Sequence, residues 1–292
     1  MFYLTLVSLI WAFSFGLIKT RLEGIDPSLV AWLRLTIALP CFLPFYRPRR
    51  LPFWLRGRLI LTGAIQYGLM YIAYLRSFAY LDAYQVAVYT ILTPIYVALL
   101  DNLYHRRFRT GDLGAALLAV AGAAIITYRP AALEGLVSGF LLVQFSNLCF
   151  AAGQIEYRHL RPRFQSRPER EVYALLFLGG AAATALWTTL TGGWGDLSRI
   201  SCEAGGTILY LGVVASGLGF FWWNKGAVLT SAGTLAVFNN LKIPLAVAVS
   251  LLFFGERTDW ARLLAGGAVI IAGLLLARRT GRGNNQFASS EN

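Results

Sequence analysis

Apolar residues fall in long runs, and the stretches between them concentrate arginine, proline and glycine. A helix needs about 20 mostly apolar residues to cross a bilayer, with a range of roughly 17–25. Ten runs reach or approach that length: Met1–Ile18, Ser28–Tyr46, Leu59–Tyr80, Ala83–Leu103, Leu113–Tyr128, Leu136–Ile155, Val172–Leu190, Gly206–Val228, Ser231–Phe254 and Trp260–Ala277. The fifth is short and draws on its flanks. The first lacks a basic leader and a small-residue cleavage site, so it reads as a spanning helix rather than a signal peptide. The pattern predicts an all-α integral membrane protein with ten transmembrane helices.

Two stretches stand apart. Gly68–Leu100 and Gly217–Leu251 each hold an aromatic-rich apolar run, a short break, and a second run with one central proline, Pro94 or Pro244. This is a weak internal repeat. It divides the chain into residues 1–128 and 135–277, with five helices in each unit. Five is odd, so two copies in one chain lie in opposite orientations. An inverted repeat around a midplane cavity is an architecture for alternating access. The polar tail, residues 280–292, is expected to be irregular or an expression remnant.

Composition agrees with the runs. Only 14% of the 292 residues are charged, against about 25% for a soluble domain, and the mean hydropathy is +0.58. The net charge of +12 is a topology signal rather than a nucleic-acid footprint. Most basic residues lie after even-numbered runs, in Arg47–Arg58, Arg106–Arg109, Arg158–Arg170 and Arg278–Arg282. The positive-inside rule then places both termini in the cytoplasm of a multi-pass inner-membrane protein. Cys41, Cys149 and Cys202 are dispersed, and His105 and His159 fall in separate basic connections. No disulfide framework, metal site or cofactor is expected. An enzyme would need clustered acids, histidines or metal ligands at one face, and the sequence offers no such cluster.

Several residues look out of place in lipid and so point to a cavity wall. Tyr67, Tyr71 and Tyr74 share one face of the third run at helical spacing, and Tyr89 with Tyr96 does the same in the fourth. Tyrosine offers an apolar face and a hydroxyl; an interfacial aromatic belt is the competing account. Trp11, Ser14, Gln85, Gln154, Asn224, Asn239 and Asn240 are polar or amphipathic at bilayer depth, as substrate contacts or as interhelical hydrogen bonds. Pro94 and Pro244 free a carbonyl one turn back and are candidate kinks or gates. Lys242 is a buried ammonium that could receive a carboxylate or cap carbonyls near Pro244. Arg34 reads as a snorkelling residue or a partner of Glu23 or Asp26. Gly114 with Gly122, and Gly266 with Gly273, suggest outer or dimer-facing fifth and tenth helices, or tight packing within one subunit. The run interiors hold no Asp, Glu or His, which points to facilitative transport. No Walker loop occurs.

The motifs Trp11-Ala12-Phe13-Ser14-Phe15 with Lys19, Pro27 with Arg34, Thr93-Pro94, and Pro244 followed by Gly255-Glu256 resemble the drug/metabolite transporter superfamily, in its ten-helix EamA-type branch. The resemblance covers about residues 4–277. Trp222-Trp223-Asn224-Lys225-Gly226 is similar, more narrowly, to the YddG-type aromatic amino-acid exporters. Those carry tryptophans where this chain has Thr93 and Phe150. The resemblance implies eight helices round a cavity, with the fifth and tenth outside. It also implies inner-membrane export of amino acids, aromatic and other neutral ones, or else of a broad range of metabolites or drugs. Trp223 and Phe150 join the candidate substrate contacts on this ground. The implied partners are a small-molecule substrate and the lipid bilayer, with no nucleic acid, in a monomer or a weak homodimer through the fifth and tenth helices.

Overall fold

The computed structural model describes residues 1–22, 24–47, 51–81, 86, 89–106, 108–127, 136–253 and 260–288. All regular structure among them is helical. We number the main helices α1 (Phe2–Arg21), α2 (Pro27–Ala38), α3 (53–77), α4 (Thr93–His105), α5 (Thr110–Thr127), α6 (Leu136–Leu160), α7 (Tyr173–Thr191), α8 (Cys202–Val228), α9 (Ala232–Phe253) and α10 (Trp260–Ala288). Each overlaps one apolar run of the sequence. Five segments among the described residues are long and apolar enough to span a membrane: Pro27–Phe45, Val137–Phe164, Tyr173–Thr191, Cys202–Val228 and Trp260–Ala277.

Local chemistry sets the helix ends. Asp26 caps α2, its carboxylate accepting from the amides of Ser28 and Leu29 at 3.0 Å, with Pro27 in the first turn. Such a cap satisfies amides that a helix start leaves unpaired. Pro40 and Pro44 then turn the second run into two 3-10 turns, Leu39–Cys41 and Leu43–Phe45. Gly192, with φ 74°, ends α7 in the left-handed conformation that glycine adopts without strain.

Two helices are not regular throughout. A π-helical turn, Ala64–Leu69, lies inside α3, and another, Leu211–Leu218, lies inside α8. These are the third helices of the two sequence units. Their packing is also paired. A Cβ on Gly63 would enter the backbone of Leu176, and one on Gly179 that of Ile60, so α3 and α7 meet backbone to backbone. A Cβ on Gly212 would meet the Ile37 side chain, and one on Gly217 would come into ordinary contact with Ala38, so α8 packs on the second run. Thus the third helix of each unit packs on the second helix of the other.

The structure bears on four expectations. The helix begins afresh at Thr93 after a turn at Ile91 and Leu92, so Pro94 sits in a first turn at a break. Pro244, by contrast, lies inside a continuous α9. Gly122 faces Gly266, and Gly273 faces Ala115, so the small residues of α5 and α10 are used within one chain rather than offered to a second copy. Helical backbone continues to Ala288, where an irregular tail was expected. α10 lies at the outside, with Trp260, Leu264, Ile271 and Leu275 exposed.

Candidate functional site

A cavity opens among α1, α2, α3, α6, α8 and the break before α4. The empty space among its wall atoms, open mouth included, is about 690 Å³. Its walls are Trp11, Ser14 and Ile18; Arg34; Met70, Tyr71 and Tyr74; Thr90 and Thr93; Ser146, Asn147 and Phe150; and Phe220.

Arg34 is the charged residue of this wall and is only 3% exposed. Its Nε donates to Ser216 Oγ at 3.2 Å, and its guanidinium lies 4.6 Å from the centre of the Tyr71 ring. Tyr71 OH is also 3.2 Å from Ser216 Oγ. Among the described residues no carboxylate pairs with Arg34, and none engages its two Nη atoms. Asp26, an expected partner, is occupied in capping α2; Glu23 is outside the described residues. A buried guanidinium in a low-dielectric wall favours an anion strongly, and its planar fork matches a carboxylate.

The break before α4 exposes carbonyls, which a membrane interior must satisfy from within the protein. Tyr89 O accepts from Asn147 Nδ2 at 3.0 Å and Gln144 Nε2 at 3.2 Å. Thr90 O accepts from Thr93 Oγ1 at 2.7 Å, and Ile91 O from Asn240 Nδ2 at 2.8 Å. Asn147 Nδ2 also donates to Gln144 Oε1 at 3.2 Å, so both its N–H groups are spent. That orientation leaves Asn147 Oδ1 as an acceptor beside the cavity.

Beneath the cavity the bundle is closed by a buried polar and aromatic layer. Gln66 and Asn224 exchange two amide hydrogen bonds, 2.8 and 3.1 Å. Asn224 Nδ2 donates to Tyr67 OH at 2.9 Å, Tyr67 OH lies 2.6 Å from Tyr173 OH, and Tyr173 OH donates to Phe220 O at 2.5 Å. The last bond fixes the sense of the chain, because each hydroxyl has one proton. Tyr67 stacks on Phe220 at 4.2 Å. Trp223 donates to Gln154 Oε1 at 2.9 Å and lies 4.9 Å from Trp11. Trp11 Nε1 donates to Ala215 O at 2.9 Å.

The expected residues therefore separate into groups. Trp11, Ser14, Tyr71, Tyr74 and Phe150 line the cavity. Tyr67, Gln154, Trp223 and Asn224 form the closed layer, and Asn239 borders it, 3.5 Å from Gln154 Oε1. Asn240 ties α9 to Ile91 O and Ala119 O. Tyr89 packs edge-on against Phe140, away from the cavity wall. Gln85 and the side chain of Lys242 are outside the described residues. Ile18, Arg34, Met70, Thr90, Thr93, Ser146, Asn147 and Phe220 were not among the expected contacts. A charge inside run two and adjacent polar residues inside run six were the available signals; Phe220 gave none.

The EamA-like transporter family matches the chain twice, over residues 1–128 and 137–279. A Pseudomonas aeruginosa protein named probable biotin transporter is 42% identical over 282 residues, covering 94% of this chain and 96% of that one. The Escherichia coli protein named biotin transporter is 35% identical over 278 residues, covering 94% and 92%. A crystal structure covering 96% of this chain and 98% of its own matches with a TM-score of 0.72 at 18% identity, a likeness of fold.

Proposed function

The chain belongs to the EamA-like transporter family, and on that premise we propose that it carries biotin, or a metabolite of similar shape and charge, across the cell inner membrane. The observation that carries this reading is Arg34, buried in the cavity wall with no acid to meet it among the described residues. Biotin is a monoanion at neutral pH. Its carboxylate suits the guanidinium fork, and its apolar body suits Trp11, Phe150 and Phe220. Its ureido N–H groups suit an acceptor such as Asn147 Oδ1. The names of the two relatives agree with this chemistry.

Amino-acid export, implied by the narrower sequence resemblance, finds no support in these relatives. An amino acid also brings an ammonium group, and the described cavity wall offers it no carboxylate. The wider alternative, a metabolite transporter, fits better.

In this reading ten helices cross the membrane as two inverted units, residues 1–128 and 135–277, which rock about the cavity. Both termini are cytoplasmic, the cavity faces outward, and the layer from Gln66 to Tyr173 is the closed inner gate. Movement is facilitative. Proteoliposomes test the reading directly: labelled biotin should equilibrate saturably across the membrane with the same initial rate with and without a pH gradient. Flux of phenylalanine but not biotin would overturn it.

A further inference from the structure

Read along the chain, the only two histidines lie in separate connections. In the fold they meet. Their rings are 5.0 Å apart at the arginine-rich end of the bundle, one at the end of α4 and one at the end of α6. Asp101, one helical turn before His105, completes the group. One ligand atom from each of Asp101, His105 and His159 lies within 4.8 Å of the others. We propose that these three residues bind a divalent transition ion of the zinc, cobalt or nickel class, clamping α4 to α6.

The donor set is that of a borderline metal: two imidazoles and one carboxylate leave an open coordination position for water. The site is also held in place. Arg158 donates to Asp101 Oδ1 at 3.1 Å and to Thr230 O at 3.0 Å, which pins the carboxylate. Asp101 Oδ2 is then turned toward His105, 3.5 Å from Nδ1. Tyr104 stacks flat on His159 at 3.4 Å and fixes that ring. Asp101 is only 3% exposed, whereas His105 is 39% exposed and gives a route from solvent. A second observation points to a ligand: His159 Nε2 is buried without a hydrogen-bond partner. A buried polar atom of this kind carries a desolvation cost that a metal ion would remove. The Arg158 charge opposes a cation nearby, so the site binds more weakly than a four-ligand structural site.

The clamp joins two helices that flank the cavity, and binding to the folded state raises its stability. The test uses tag-free, detergent-solubilised protein stripped with chelator. Co2+ titration should give saturable visible d–d absorption at one ion per chain, displaced by Zn2+, and Zn2+ should raise the melting temperature. His105→Gln and His159→Gln should each weaken binding at least tenfold and abolish the thermal shift, while melting like the native protein in chelator. His105 is partly exposed, so His105→Gln alone suffices should His159→Gln prove unstable. Saturable binding of equal affinity in His105→Gln, or no saturable binding by the native protein, would overturn the proposal.

Discussion

Arg34 is costly where it stands unless an anion meets it. A charge at membrane depth is unfavourable by a few kcal/mol, and Ser216 with the Tyr71 ring offers only partial compensation. A charge-assisted hydrogen bond contributes about 1.5–3 kcal/mol, and each 1.4 kcal/mol is about tenfold in affinity. Arg34→Gln should therefore weaken biotin binding about 10- to 150-fold, and Arg34→Lys less, since the charge survives but the fork is lost. Equilibrium binding to purified protein reads this, and unchanged affinity in Arg34→Gln would contradict the assignment. The charge was visible inside an apolar run, but its depth and neighbours were not. Asp26 is an acid near Arg34 in sequence, and only the fold assigns it to capping. Trp11, Ser14, Tyr71 and Tyr74 could be read as cavity residues because they are polar or aromatic in lipid-like runs, and Phe150 only through the family resemblance. The same signal marked Tyr67, Gln154 and Asn224, which instead bond within the protein: Asn224 to Tyr67 and Gln66, and Gln154 to Trp223. Sequence shows that such groups are buried, not whether a substrate or another helix satisfies them.

At the scale of elements, the closed layer depends on one reciprocal amide pair between α3 and α8. Interhelical hydrogen bonds in membranes contribute about 0.6 kcal/mol on average and up to about 1.7. Asn224→Leu should lower thermal stability, because it strands the Gln66 amide and removes the donor to Tyr67. Adding Gln66→Leu should recover part of that loss, since an apolar pair leaves no unpaired group. A double variant less stable than the sum of the two single losses would count against the pair as drawn. Gly179 is a different case. A Val there meets the backbone of Ile60, and such overpacking costs about 1–3 kcal/mol or more. Gly179→Val should therefore fail to yield monodisperse protein by size-exclusion chromatography, whereas Gly57→Val, with open space around it, should not. The apolar runs marked where the numbered helices lie, because run length follows the thickness a span must cross, and five of the described segments meet that length. The two π turns were not legible, because a wider turn has no compositional mark. Nor were the different roles of the prolines: Pro94 starts a helix because Asn147, Gln144 and Asn240 satisfy the carbonyls around it, a tertiary fact.

For the whole molecule, the EamA-like family model matches residues 1–128 and 137–279, and the arginine distribution makes cytoplasmic termini the expected orientation. Cys202 is exposed at the start of α8, beside Glu203, which pairs with Arg21 at the end of α1. If both termini are cytoplasmic, a membrane-impermeant maleimide should label Cys202 from the periplasmic side in cells with a permeabilised outer membrane. Labelling only after the inner membrane is opened would reverse the orientation. Substrate class was the least legible property. In the proposed reading it rests on one charge and one acceptor in a cavity wall drawn from six helical regions, and no run of sequence displays that combination. The most direct measurement compares biotin with biotinamide, which keeps the rings and lacks the carboxylate, in the native protein and in Arg34→Gln. The account predicts that the native protein prefers biotin at least tenfold and that Arg34→Gln binds the two about equally. An undiminished preference for biotin in Arg34→Gln would contradict it.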